Sequence, residues 1–535
     1  MTQIVTETIA TSGQEAQLKT TQLLHAGVTR TPSVQKSFLT NLSVSRNKDF
    51  FDRTFYVYEL RVPGIATIFL AVNRESVDSP SSLVQPDWND IHCATELPPK
   101  LDKKASYGGS RLVPPSESRQ DAMNSLVHLA FFESSLKHAL INRATENGAL
   151  NALVDEYGRT QYALQAENLQ QRGIPVDYQL PKPYLNLRFK GGRCIIYPDS
   201  QQAYERLSTH SREEIAKIFS AVGKFLNGRL SANIIDLQGN IKQENAFIPP
   251  GSFFLTPDFG TNSRLADCLN DYTPHVLGIS PEAGGGSGKS SYTVSGILGA
   301  LKACLDAGLI QGYNPCETPI TLIGSAGSLG GILTQHFIGH NNVRVCDTKY
   351  DSSKGIKVDT VKSEQIISLK DGSSQRVPLS WKVILAEEGR FTREALTNGG
   401  VIIATTYGKE LEHSDYNSIP EGSLLLLAHN FSIPEGNAGI QIAEGLQNNG
   451  VWAFPGQLLT LGGAANSRLE IAHRASKGIA KINKRTAIEP FPKRLGHEIN
   501  RLLAHRIVSD TIAIAREQNM TLQEAMMLYI EADLK

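Results

Sequence analysis

Alternating apolar runs occupy the first half of the chain, and helical periods dominate its end. Thr54-Phe-Tyr-Val-Tyr-Glu-Leu-Arg-Val and Ile65-Ala-Thr-Ile-Phe-Leu-Ala-Val are rich in β-branched and aromatic residues. Pro63-Gly64 separates them, which predicts a hairpin. Gly108-Gly109-Ser110-Arg111 predicts a turn, and the apolar spacing over Asp121–Leu140 predicts a helix. Tyr184–Pro198 predicts two strands around a Lys190-Gly-Gly-Arg193 turn. Glu213–Leu226 has an amphipathic helical period, and Phe253-Phe-Leu-Thr-Pro-Asp258 predicts a strand that ends in an acid. Ser291–Gly308 predicts a long helix. Ile320–Ile323 and Val343–Cys346 predict short strands; the runs Val401–Ala404 and Leu424–Ala428 fall far short of the roughly 20 residues a membrane span needs and predict buried parallel strands. Glu498–Arg516 and Leu522–Ile530 predict closing helices. Residues 1–45 carry Thr, Ser and Gln without a sustained period and predict a loosely ordered arm.

Composition narrows the class. The 53 lysines and arginines equal the 53 acids, so the net charge is zero and nucleic acid is not an expected partner. The six cysteines include no C-x-x-C pair, which argues against a zinc cluster or a disulfide scaffold. Buried, reduced thiols in a cytoplasmic protein are expected. The N-terminal stretch has no apolar segment of signal-peptide kind, and no membrane association is expected. At 535 residues, two to three domains are expected.

The most informative stretch is Thr321–Asp347. A short apolar strand leads into Gly324, Gly327, Gly330 and Gly331, then a helical segment, then a second strand ending at Asp347, seventeen positions after Gly330. This is the layout of a dinucleotide-binding βαβ unit. Glycines let the backbone approach a pyrophosphate, and the helix start offers free N–H groups. The usual G-x-G-x-x-G would place a glycine at Ser325; here it stands one residue earlier, at Gly324. An acid at the second strand tip can bind both ribose hydroxyls and would repel a 2′-phosphate, so Asp347 favours NAD over NADP. Gly284-Gly-Gly-Ser-Gly-Lys289-Ser290 has the look of a phosphate loop, but Ala283 stands where its first glycine belongs, and an interdomain hinge is expected instead.

Several turns, in order, resemble the Glu/Leu/Phe/Val dehydrogenase family, and most closely its leucine and phenylalanine dehydrogenase branch. Gly108-Gly109-Ser110-Arg111-Leu112 resembles the family's GGTRM. Ser135-Leu136-Lys137-His138-Ala139-Leu140 resembles its T-x-K-N-A-L, and Thr256-Pro-Asp258-Phe-Gly-Thr261 its A-E-D-V-G-T. Gly278-Ile-Ser-Pro-Glu282 followed by Thr293-Val-Ser-Gly296 resembles the G-I-S-P-E linker before the cofactor domain. Trp452–Pro455 through Gly462-Gly463 and Asn466 resembles A-P-D-x-x-x-N-A-G-G-V-x-N, and Ala513–Ala525 the closing helices. The resemblance covers about residues 50–535, with insertions near 141–183 and 231–252.

The resemblance implies an α/β chain of two domains: a substrate-binding and oligomerisation domain over 46–290, a Rossmann-type NAD-binding domain over 291–465, and C-terminal helices over 466–535 that pack back on the cleft. It implies reversible, NAD-linked oxidative deamination of an L-amino acid to a 2-oxo acid and ammonia by a homo-oligomer, with no metal. It makes Asp258 the catalytic carboxylate and Lys137 the grip on the substrate carboxylate, with Gly109 and Thr460 beside the substrate. It places NAD against Gly324, Gly327, Ser328, Leu329, Gly330 and Asp347, with Thr293, Thr405 and Asn430 completing the cofactor site. Where the family has G-G-G-K, this chain has Lys190-Gly191-Gly192-Arg193. One count puts Lys190 in the catalytic lysine's place and another puts Arg193 there. Arginine cannot deprotonate in a protein, so it can polarise a carbonyl but cannot relay a proton. Pro455-Gly456 replaces the family's proline-aspartate, and Thr460-Leu-Gly-Gly its N-A-G-G. These departures leave open a second class of function, a catalytically weak NAD-binding protein with a regulatory or structural role.

Overall fold

A computed structural model of the chain describes residues 47–77, 105–146, 188–209, 211–258, 263–280, 285–286, 289–385, 393–406, 413–429, 436–474 and 493–534, with scattered positions between 152 and 173. The arm expected over 1–45 and most of the 141–183 insertion lie outside the described residues.

The fold is α/β, with two large sheets. The first has seven strands: β1 (Phe55–Val62), β2 (Ala66–Asn73), β3 (Ala105–Leu112), β4 (Phe189–Pro198), β5 (Ala232–Ile235), β6 (Ile241–Ala246) and β7 (Phe253–Pro257). Their order is β6-β5-β1-β2-β4-β3-β7. The expected hairpin forms between β1 and β2, paired antiparallel from Phe55↔Asn73 to Val62↔Ala66, with Gly64 at φ 73° in its turn. The stretch near 231–252, expected as an insertion, supplies β6 at one edge of the sheet and β5 beside it. Alternation along the strands sorts the core. Phe69, Ala71 and Ile195 face the cluster that contains Leu126, Phe131 and Leu136, and Leu70, Val72 and Cys194 face the cluster that contains Ile218, Val222 and Phe225. The helices behind those clusters are α1 (Lys48–Thr54), α2 (Arg119–His128), a π-helical stretch over Leu129–Ser135 and α3 (Leu136–Thr145) on one side. On the other lie α4 (Gln201–Ser208), α5 (Arg212–Leu226) and α6 (Ser263–Asn270). A long α7 (Lys289–Asp306) follows.

Two sequence expectations are corrected here. Gly108–Arg111 is not a turn but the middle of β3, and Lys190–Arg193 is not a turn but part of one continuous strand, β4. The glycines in both serve close packing. A Cβ on Gly108 would stand 1.8 Å from Gly192 O, and a Cβ on Gly191 would stand 2.2 Å from Ser135 Oγ. A third correction concerns the thiols: Cys194, Cys304 and Cys346 are buried, but Cys268 and Cys316 are exposed.

The second sheet is parallel throughout. It comprises β8 (Ile320–Ile323), β9 (Val343–Asp347), β13 (Lys382–Leu385), β14 (Val401–Ala404), β15 (Leu424–Leu427) and β16 (Trp452–Phe454), in the order β13-β9-β8-β14-β15-β16. The order reverses between β8 and β14, which makes a topological switch point of the kind that holds nucleotides in doubly wound sheets. Helix α8 (Ser328–His336) joins β8 to β9. Between β9 and β13 sits a small antiparallel sheet that no sequence pattern announced: β10 (Ile356–Asp359), β11 (Glu364–Ser368) and β12 (Ser374–Pro378). Helices α9 (Gly436–Asn448), α10 (Gly456–Leu459), α11 (Gly462–Arg474), α12 (Lys493–Gln518) and α13 (Leu522–Leu534) complete the chain. Helix α7 packs along α12 so closely that a Cβ on Gly299 would stand 2.3 Å from Arg501 O. No described helix is long and apolar enough to cross a membrane.

Candidate active site

Four strand and helix segments bring charged groups to one point on the first sheet. β3 lies between β4 and β7. Arg193 from β4 and Asp258, just past the end of β7, therefore meet across β3 above Gly109. Arg193 Nη2 donates to Asp258 Oδ2. A Cβ at Gly109 would stand 2.8 Å from Arg193 Nη1 and 2.8 Å from Asp258 Cβ, so glycine there makes the ion pair possible. The other guanidinium arm, Nη1, donates to Glu133 Oε2 at 3.1 Å. Lys137 follows Glu133 by one helical turn, on the same face. Its ammonium makes no hydrogen bond or ion pair among the described residues, although the residue is only 9% exposed.

Burial and charge oppose each other here. Burial works against the charge of Arg193, which is 1% exposed, but Asp258 and Glu133 outweigh it and hold its pKa above the ordinary arginine value. Burial would raise the Asp258 carboxyl; Arg193, Arg111 and Lys289 more than offset this, and it stays below the usual carboxylate range. For Lys137 burial wins. Its pKa falls despite the attraction of Glu133 and Asp258, and Arg193 and Lys289 push it the same way. Lys289, on the stretch expected to be only a hinge, is thus close enough to bias both groups. The hinge itself is braced: the Glu470 carboxylate, fully buried, accepts from Gly278 N at 3.0 Å and from Gly286 N at 3.2 Å. Tyr107, on β3, shares a 2.7 Å hydrogen bond with Ser467 on α11 and ties the first sheet to the C-terminal helices.

Lys190 stands elsewhere. Its ammonium donates to Glu75 Oε1 at 2.9 Å and to Asp533 O at 3.2 Å, on the side of the sheet end closed by α13. Of the two cations left open by the sequence, Arg193 is the one beside Asp258. Thr460, partly exposed, bonds its own helix turn at Gly456 O, 2.7 Å away. Glu133, Arg111, Lys289 and Glu470 were not singled out from sequence. Glu133 stands one helical turn before Lys137, and that spacing was the available signal.

The second sheet carries the glycine turn expected to cradle a nucleotide. Gly324 turns the chain at φ 82° beside Thr405 O of the neighbouring strand end, and a Cβ on Gly330 would stand 2.0 Å from Gly324 O. Thr405 Oγ1 donates to Ile323 O and Gly324 O, both at 3.1 Å, and pins the turn. Gly327 caps α8 without a side-chain bond, which leaves the first amides of α8 pointing to the crevice. These features fit a dinucleotide pyrophosphate. Asp347 ends β9, but it is 4% exposed and both its oxygens already accept from the backbone: Ala326 N and Lys349 N, each at 2.8 Å. The inserted sheet reaches this loop through Gln375, whose Nε2 donates to Ser325 O at 3.0 Å and whose Oε1 accepts from Tyr350 at 3.0 Å. Thr293 is buried against Gly462. Asn430 lies outside the described residues. Among the described residues, no cluster of His, Cys, Asp and Glu could hold a metal ion.

Solved structures of amino-acid dehydrogenases share this α/β architecture. The chain resembles glutamate dehydrogenase 2 of Plasmodium falciparum at a TM-score of 0.55 and 12% identity, over 95% of this chain and 96% of that one. It resembles the L-tryptophan dehydrogenase of Nostoc punctiforme at a TM-score of 0.52 and 12% identity, over 91% and 97%. It resembles the hetero-hexameric glutamate dehydrogenase of Thermus thermophilus at 0.51 and 14%, over 88% and 83%. No family model matches the sequence.

Proposed function

We propose that the protein is an NAD-dependent oxidoreductase that interconverts an L-amino acid and its 2-oxo acid, with release of ammonia. One observation carries this reading: the Arg193–Asp258 ion pair held over Gly109, with the buried ammonium of Lys137 in the same electrostatic cluster. Lys137 binds the substrate carboxylate. Asp258, kept ionised by Arg193, takes the proton from the substrate ammonium. Arg193 polarises the carbonyl or imine that develops at Cα and orients the attacking water. Arg193 stays protonated, so the proton leaves through Asp258 and not through the cation. NAD would supply the hydride acceptor for the substrate Cα. Gly324, Gly327 and Gly330 would leave room for its pyrophosphate, Ser328 and Leu329 would offer amides to it, and Asp347 would serve the ribose. The cytoplasm and a homo-oligomeric state fit this reading.

The permanent charge of Arg193 supports a second reading, an NAD-binding protein of weak activity with a regulatory role. Mixing the purified protein with NAD and a panel of L-amino acids, while following absorbance of the reduced nicotinamide, separates the two. Turnover of any amino acid supports the enzyme. Binding of NAD with no turnover across the panel leaves the regulatory reading.

A further inference from the structure

A cavity of about 530 Å³ is lined by parts of the elements that carry the candidate catalytic groups. On the helical segment that bears Glu133 and Lys137, the residues Ser135, Ala139 and Asn142 line this cavity. Positions two apart on a helix point in nearly opposite directions, so one helix serves the active site with one face and the cavity with the other. Strand β4 reaches both places along its length: Phe189 and Lys190 at its start line the cavity, and Arg193 stands further along the strand. The far wall is Met527, Asp533 and Leu534 of α13.

The lining carries the charged Arg74, Glu75, Lys190 and Glu531, and three further features set what it can hold. Phe50, Phe131 and Phe189 form an apolar wall. Arg53 stands exposed at the rim and has no ion-pair partner among the described residues. The Asp533 carboxylate is partly buried and makes no hydrogen bond or ion pair among the described residues. Burial and the nearby charge of Glu146 raise its pKa, although Arg188 and Lys190 oppose them. A half-buried carboxylate without a partner is costly and favours a cationic guest. We propose that this cavity is a binding site for a free amino acid with an apolar or aromatic side chain, separate from the catalytic site. The ligand's ammonium meets Asp533, its carboxylate meets Arg53, and its side chain lies on the phenylalanines. Occupancy ties α13 to β4 and to the helix of Lys137, which places the site to adjust the catalytic groups. The proposal rests on the cavity's own charges and walls and does not depend on turnover.

The test is calorimetric titration of the full chain carrying Lys137→Ala, which removes the carboxylate grip of the catalytic site, with L-phenylalanine, L-leucine and 3-phenylpropanoate. L-Phenylalanine or L-leucine should bind, and 3-phenylpropanoate, which lacks the ammonium, should bind at least about tenfold more weakly than L-phenylalanine, the scale of one lost charged hydrogen bond. Adding Asp533→Asn should erase that preference, and adding Met527→Trp should fill the cavity and abolish binding. Asp533→Asn alters a partly exposed side chain, so it stays informative if Met527→Trp fails to fold. Absence of binding by both amino acids, equal binding of L-phenylalanine and 3-phenylpropanoate, or an unchanged preference in Asp533→Asn overturns the proposal. A protein that binds the amino acid here yet turns over none would sink the proposed activity and leave this site standing.

Discussion

The two sheets build their sites by different means. In the parallel sheet the cradle is nearly continuous in sequence: Gly324 to Gly330 supplies the turn, the close approach and the helix start, and Thr405 and Gln375 brace it from distant strands. In the mixed sheet the charged cluster is assembled from Glu133, Arg193 and Asp258, which lie 60 and 65 residues apart. Its geometry depends on β3 running between β4 and β7 with a glycine at the crossing. A cradle of backbone amides tolerates a shifted glycine. A cluster of buried charges does not tolerate the loss of a partner, because the remaining charges are left uncompensated.

Substitution within the cluster should therefore cost more than substitution at the cradle. Arg193→Ala removes the one cation that bonds directly to both Glu133 and Asp258 among the described residues. It should lower unfolding stability by about 3 kcal/mol, the low end for a broken buried pair because Asp258 is partly exposed. A urea denaturation midpoint close to the parent's would show that water already compensates these charges. Asp258→Asn keeps the shape and removes the proton acceptor. Turnover should fall by roughly 10²-fold or more while NAD affinity holds, and steady-state kinetics beside an NAD titration reads both. Full turnover would remove Asp258 from the mechanism.

The same residue sets a pH dependence. Its carboxyl is held below the usual range in the folded chain. Its contribution to stability is therefore present above the unfolded value near about 3.9 and is lost as pH falls through the folded value. Acid denaturation of the parent and of Asp258→Asn should converge below about pH 4. Curves that stay parallel through that range contradict the assignment.

At the cradle, Asp347→Ser removes an acceptor of the Ala326 and Lys349 amides as well as the acid proposed to serve the ribose. NAD should lose about tenfold in affinity relative to NADP. Competition binding with the two cofactors decides it, and an unchanged ratio means that Asp347 serves only the loop. The smallest effect is expected from Lys190→Ala. Its pair with Glu75 is partly exposed, so stability should change by less than about 1 kcal/mol, and turnover should survive. A collapse of turnover in this variant would return Lys190 to the catalytic role.

Much of the fold was legible because apolar periods are local. The β1–β2 hairpin, the short parallel strands Val401–Ala404 and Leu424–Leu427, and the closing helices stand where the periods put them. The two glycine pairs were misleading for a physical reason. Glycine favours turns, but it also permits close approach, and only the neighbours of Gly108 and Gly191 reveal which property is in use. The small sheet β10–β12 was missed because its strands are mostly polar or partly exposed and carry little period.

By itself the sequence determined the strand–glycine–helix–strand–acid unit at Thr321–Asp347, the acid at the end of β7 and the lysine on its helix. Each is a matter of residue type and short spacing. It left Lys190 and Arg193 equivalent, since both flank the same two glycines. Tertiary structure decided between their surroundings: β4 runs straight through that stretch, so Lys190 meets Glu75 and α13 at the strand's start while Arg193 crosses Gly109 to reach Asp258. Which charges share a buried site depends on strand order, and strand order depends on pairings between residues far apart in the chain, which no local pattern encodes.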